Sequence, residues 1–385
     1  MAGLPTSWRA CVLMGAGALL LGACEGRTAS FEDDGIGFGE TGDDESTDDD
    51  SSDSSDSDSG DETGGSISCN ASVESLAVDE TTEQAAVQCV EEVAGDLEIG
   101  PTTTMEDLQM LANLRVVGGA LTISANSALT SLEGLEQLES VGQLVIRRNH
   151  GLTDLHGLEG LQWIGRLTID NNDGLKSLSG LPAGLSPIAL DITKNDGLAN
   201  LDGLPVFLPP GNGALAIVVE DNGKLGELGG LSDCCGEQSV TLRLARNPVL
   251  QHLSGLEGFA RFEELRLHDN VGLVDLQGMG NVGEVGTFEV QYDHCAGQAT
   301  PALVGVAGGE GLVKVDVMVV AWAPNLVSLA GFAGVADISK LQVHDNAKLA
   351  WGDVLDLAEQ SGPLVFEGCG GIGGPECVED PCPMQ

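Results

Sequence analysis

Few residues in this 385-residue chain have both the type and the spacing to do chemistry, although it carries 60 Asp and Glu, 16 Lys and Arg and six His. Asp170 and Asp191 fall on neighbouring units of a repeat, and two carboxyl groups about 5–10 Å apart are what a glycosidase needs. Acidic residues are so abundant, however, that such a pair arises from composition alone, and the loops between units are too short to wall a cleft. His268 and His344 each open a His-Asp-Asn trio. They lie three units apart, and at ~4.8 Å per strand the resulting ~14 Å is too far to share a metal. Cys369, Cys377 and Cys382 have no Cys-x2-Cys spacing, no fourth cysteine and no neighbouring histidine, which suits disulfides better than zinc. The acidic stretch before residue 67 offers oxygens to calcium but lacks a Gly-pivoted loop closed by Glu. We therefore expect no catalytic residue, no metal and no cofactor, and a chain that is not an enzyme.

The remaining candidates are cations. Six of the fourteen Lys and Arg after residue 66 (Arg147, Arg148, Lys194, Arg243, Arg246 and Arg266) stand one, two or four places before a recurring Asn. Tyr292 and Trp322 occupy equivalent places. If those positions face outward from a sheet, Arg147, Arg148, Arg243, Arg246, Arg266, Tyr292 and Trp322 form a candidate ligand-binding face. Such a face has two readings in a chain of net charge −44. Either it meets an acidic partner, or it balances Asp170, Asp191, Glu220 and Asp269. Bulk charge of this sign disfavours nucleic acid and anionic lipid as electrostatic partners.

What positions these residues is the repeat itself. Asn126, Asn149, Asn172, Asn195, Asn222, Asn247, Asn270 and Asn346 mark one slot, with Asp293 and Ala323 in two further units; most units are 23 residues long. Leu recurs three and six residues after the slot and Gly eight after it. The residues before the slot alternate, as in Leu144-Val145-Ile146-Arg147-Arg148, which sends Leu144 and Ile146 inward from a strand. One such strand cannot bury its face alone, so the units must stack. The fold expected is mainly β: a parallel β-helix, or leucine-rich-repeat-like solenoid, of about ten 23-residue coils. The Asn amides should form a structural ladder that bonds backbone groups at the corner. Gly151, Gly174, Gly197 and Gly272, two after the slot, are expected to supply positive φ there, and the Gly at plus eight serves the second corner.

The pattern L-x-I-x-x-N-x-x-L-x-x-L-x-G-L, preceded by "VVGGALTISAN" and "VGQLVIRRN", resembles receptor L domains over residues 95–352. The resemblance implies a right-handed β-helical module of the kind found in insulin and growth-factor receptors, fungal cell-wall proteins and bacterial lipoproteins. No furin-like cysteine-rich module or kinase accompanies it here, so hormone binding is not implied. Cys69 and Cys89 bracket the segment before the first coil and are expected to staple an N-terminal cap over 68–94, as the family often does. Cys234, Cys235, Cys295, Cys369, Cys377 and Cys382 allow fifteen pairings, which stay open.

The ends give an address. Residues 1–23 combine Arg9 with an apolar run too short to span a bilayer, an export signal. Leu21-Gly22-Ala23-Cys24 resembles a bacterial lipobox, which implies acylation of Cys24 and a membrane anchor. Residues 24–67 are acidic and rich in Ser, Asp and Gly, a composition expected to act as a disordered tether. A lipobox followed by such a tether resembles myxobacterial surface lipoproteins, and Glu25 in place of Asp favours the outer membrane. Residues 353–385 should form a cysteine-containing cap or tail. The function expected is that of a lipid-anchored surface module, without catalytic activity, that binds an extracellular or envelope protein or glycan on its sheet. The alternatives are a structural envelope spacer and, third, a carbohydrate-active β-helix enzyme.

Overall fold

Alternation decides which way each strand faces. In Ser140–Arg147, Val141, Leu144 and Ile146 are buried while Arg147 is exposed. Leu144 pairs in parallel register with Leu121 on one side and Leu167 on the other, and Ile146 with Ile123 and Ile169. Each core side chain therefore stacks on its counterpart in the next coil. Leu152, Leu155 and Leu158 close the far side of the same coil and are fully buried. Burial of each such side chain is worth about 1.5–3 kcal/mol, but only where a neighbouring coil covers it.

The computed structural model describes residues 71–207, 214–231, 240–293 and 300–374. Among these residues fifteen strands join in one parallel sheet that runs coil after coil in chain order, a β-solenoid of about twelve turns. This is longer than the ten coils counted from the Asn slot. Leu76–Val78 and Leu97–Ile99 add strands before it and Val365–Gly368 adds one after it. These segments keep the apolar alternation but lack the Asn, so a count of slots misses them. The segment 71–94 thus contributes strands as well as a short helix, Gln84–Val87. After the last slot a helix, Trp351–Ser361, buries Val354 and Leu357. In Leu215–Glu220, Ile217 pairs with Leu190 and Leu242, which fixes Val219 inward and Glu220 outward.

The Asn side chains are buried and bonded in series. Asn172 Oδ1 accepts from the Asn149 N–H at 2.9 Å, and Asn172 Nδ2 donates to the Ile146 carbonyl at 3.0 Å. Its own N–H donates to Asn195 Oδ1 at 3.0 Å. The series runs from Asn126 through Asn149, Asn172, Asn195, Asn222 and Asn247 to Asn270. It then stops: in the next coil Tyr292 is buried and Asp293 is exposed, and Tyr292 is not among the left-handed residues of this corner. It resumes where the Ala323 N–H donates to Asn346 Oδ1.

The left-handed residue of this corner is the one before the slot. Arg148, Asn171, Lys194, Asp221, Arg246 and Asp269 all have φ between 52° and 57°. Gly151, Gly174, Gly197 and Gly272 do not have positive φ, contrary to expectation. They are glycine because the coil beneath approaches too closely: a Cβ on Gly174 meets the His150 carbonyl at 2.2 Å. At the second corner positive φ is present, 112° at Gly157 and 122° at Gly180.

Cys24, the leader and the tether lie outside the described residues, as do Cys69, Cys234, Cys235, Cys295, Cys377 and Cys382. Cys89 and Cys369 are disulfide-bonded, with partners outside the described residues. The pairing of Cys69 with Cys89 is therefore outside them too.

Candidate ligand-facing site on the solenoid sheet

The outward rows of the sheet sort the expected arginines into two groups. Arg243 and Arg266 sit on adjacent strands in direct register, two like charges side by side. Acids flank them. Arg243 Nε lies 2.5 Å from Glu220 Oε1, and Arg266 Nε lies 3.0 Å from Glu264 and 3.7 Å from Glu289. Both Nε atoms lie off the hydrogen-bond line, so these contacts are ionic. Arg246, on the left-handed corner, reaches back one coil, where its Nε and Nη2 grip the two oxygens of Asp221 at 2.7 and 2.8 Å. Its Nη2 also donates to Glu220 at 2.7 Å. His268 Nε2 stands 3.1 Å from Glu289. Arg243, Arg246 and Arg266 are thus neutralised within the protein.

Arg147 and Arg148 are not. Both are exposed, and neither forms an ion pair among the described residues. Arg147 ends its strand between Ser124 and Asp170, and Asp170 instead accepts from the Thr193 hydroxyl at 2.8 Å. Arg148 is held at φ 56° by the corner, its N–H donating to the Asp170 carbonyl at 3.0 Å. The two side chains thus leave from the strand end and the adjoining corner. Four strand steps separate Arg147 from the Arg246 coil, or ~19 Å.

Two aromatic residues expected on this face are placed differently. Tyr292 is 2% exposed, and its hydroxyl has no hydrogen-bond partner among the described residues, so no ligand reaches it. Burial pushes its phenol pKa well above the ordinary value. Its strand ends in register with the neighbours, but Tyr292 lacks the left-handed φ of Asp269 and Trp322 at the same place. Trp322 lies at a left-handed corner (φ 59°), half-buried against the core and edge-on to His344 at 5.8 Å between ring centres. It belongs to the rim and not to the open sheet.

The carboxylate pair is also occupied. Asp191 accepts from Arg166 at 3.3 Å and Thr168 at 3.4 Å, and Asp170 from Thr193. His344 is taken up by Asp345 at 3.0 Å. A cleft of about 270 Å³ between Arg261, Glu263, Glu284, Lys314 and Asp316 opens at the first residues of three strands, and one of about 260 Å³ lies by Asp79, Glu80 and Glu106. Neither contains Arg147 or Arg148. Among the described residues no group of three His, Cys, Asp or Glu is arranged to hold a metal, and no helix is long and apolar enough to cross a membrane.

Sequence reasoning missed Asp221, Glu264 and Glu289, which do the neutralising. The signal was available, because each occupies an outward or corner position in a row that also holds an arginine. The ion pairs make a pH prediction. Arg246 beside Asp221 holds that carboxyl below its ordinary range, and the His268 hydrogen bond does the same for Glu289. A carboxyl whose folded pKa is depressed stabilises the fold above its unfolded pKa and loses that contribution as pH falls through the folded value. The melting temperature should therefore fall on acidification from about pH 5 to about pH 3. Arg246→Gln, which releases Asp221, should flatten that fall, as calorimetry at several pH values would show.

A parallel β-solenoid with an outward row of polar side chains on its sheet defines a class of scaffolds suited to presenting a surface. Residues 68–179 match the receptor L domain family model, a match that covers less than half of the chain and includes Arg147, Arg148 and Asp170. The curated proteins and the solved structures give no match.

Proposed function

We propose that this chain is a non-enzymatic binding module displayed at a cell surface, and that it engages an acidic protein or glycan through Arg147 and Arg148. The observation that carries the reading is the contrast on one sheet: three arginines are saturated by neighbouring acids, while two adjacent ones are left for solvent. Neither of the two clefts described above contains them, and an exposed strand end suits an extended partner better than a metabolite. The family matched by residues 68–179 supports a ligand-binding role in its coarse form. The direct test is to capture envelope glycans and proteins on the immobilised mature chain at low and high salt. A partner held by these arginines should be recovered at low salt and released as screening grows.

The second reading, a rigid spacer, is favoured by the neutralised trio, since Arg243, Arg246 and Arg266 are already taken up by acids of the same sheet. Adhesion through a lipid anchor belongs to the first reading. We place acyl chains on Cys24, with residues 24–67 as tether and the outer membrane as the address, and a Cys69–Cys89 bond as the N-terminal staple. Cys24→Ala should abolish incorporation of labelled fatty acid and release the protein from the membrane fraction. Unchanged labelling would sink the anchor.

A further inference from the structure

The cleft at the first residues of three strands is an array of six outward positions. Arg261 pairs in register with Glu284, and Glu284 with Lys314, on the strands Arg261–His268, Glu284–Gln291 and Lys314–Ala321. Two residues further along, Glu263, Gly286 and Asp316 occupy the same face, because Phe262, Val285 and Val315 between the rows are buried. Gly286 stands at the centre of the second row. A Cβ there would meet the Glu263 carbonyl at 2.5 Å, so the neighbouring coil keeps the position bare. The residues around that gap enclose about 270 Å³.

The charges around the gap do not neutralise one another. Elsewhere in the chain an arginine one coil from an acid pairs with it, as Arg115 does with Glu139 and Arg246 with Asp221, each at 2.7 Å. Arg261 and Glu284 stand directly opposite on strands ~4.8 Å apart, where such pairs form readily. Yet Arg261, Glu284 and Glu263 form no ion pair and no side-chain hydrogen bond among the described residues. Lys314 is engaged, lying 3.7 Å from Asp316. With those two offsetting each other, the cleft presents one cation, Arg261, and two carboxylates, Glu263 and Glu284. A ligand that complements it carries one carboxylate and two cationic groups. The array spans ~10 Å across the strands and ~7 Å along them, the scale of one amino acid. A bare metal ion is a poor occupant, since no three acidic side chains among the described residues converge closely enough to hold one.

We propose that this cleft binds a free amino acid with a basic side chain, such as arginine or lysine. Arg261 takes the α-carboxylate with the paired N–H groups of its guanidinium. Glu263 and Glu284 take the α-ammonium and the side-chain cation, one of which lies over Gly286, where any side chain would exclude it. The field of the whole chain, at a net charge of −44, draws such a ligand in. The cleft lies five or more strand steps from Arg147 and does not depend on the contact proposed there.

The test is calorimetric titration of the full chain with L-arginine, L-lysine and two analogues: agmatine, which lacks the carboxylate, and Nα-acetyl-L-arginine, which lacks the α-ammonium. The proposal expects arginine and lysine to bind at a single site, and each analogue to bind at least about tenfold more weakly, having lost one charged contact. Arg261→Gln and, separately, Glu284→Gln should weaken arginine binding by a similar factor. Both should melt as the parent does, because neither residue is paired in the fold. Absence of binding by arginine and lysine at millimolar concentration overturns the proposal. So does binding that either variant retains, which would assign the cation to acidic residues elsewhere in the chain. Equal binding of agmatine overturns it because the carboxylate then plays no part. Equal binding of Nα-acetyl-L-arginine does so too, since the occupant would then be the end of a peptide.

Discussion

Asn172→Leu is expected to destabilise the solenoid by about 3 kcal/mol or more, since two buried backbone groups lose their partners at about 1–3 kcal/mol each. Those groups are the Asn149 N–H and the Ile146 carbonyl, and the amides of Asn149 and Asn195 also lose a neighbour. Leucine has similar volume, so packing alone does not account for the loss. Asn346→Leu should cost less. It joins the Ala323 N–H to the Val320 carbonyl but has no amide on either side, and it lies close to the end of the stack. Urea unfolding of both variants measures the difference, and equal small losses would show that the ladder contributes little.

Gly180→Ala should be as damaging for a different reason. Its φ of 122° is a conformation that L side chains rarely adopt, and a Cβ there meets the Leu155 carbonyl at 2.1 Å. Neither side can yield, because the Leu155 N–H donates to the Ser179 carbonyl at 2.8 Å, which locks the two corners together. The expected cost is again about 3 kcal/mol or more, the strain adding to the clash. Gly184→Ala is the control. It too has positive φ, 90°, but its Cβ would meet nothing within 4 Å, so only the backbone term of about 1–3 kcal/mol remains.

Much of this architecture was legible because a period of 23 residues forces the same residue into the same environment again and again. Leu144 and Ile146 had to be inward once Arg147 was outward, and a buried Asn repeated at one corner had to find backbone partners. Legibility failed where the period failed. The coil of Tyr292 lacks the left-handed residue that its neighbours have before the slot, and a position counted as outward became core. Gly174 was read as a positive-φ residue when its role is close approach, because both demands select glycine and sequence cannot separate them. The arginines were found as a stripe, but their division was hidden. It depends on Glu220, Asp221 and Glu289 standing one coil from Arg243, Arg246 and Arg266, a relation visible only when the rows are read across coils.

That division also sets the most direct measurement of the binding account. Arg147→Ser with Arg148→Ser, and separately Arg243→Ser with Arg246→Ser, are compared with the parent for binding to the partner captured at low salt, and for melting temperature. The account predicts that the first pair loses at least about tenfold in affinity, with the deficit shrinking at high salt, and melts as the parent does, because exposed charges add only about 0–1 kcal/mol. The second pair should bind normally and melt earlier, having left Glu220 and Asp221 without their partners. If the Arg147 and Arg148 variant binds as the parent does, the free arginines are not the contact, and the sheet is a spacer.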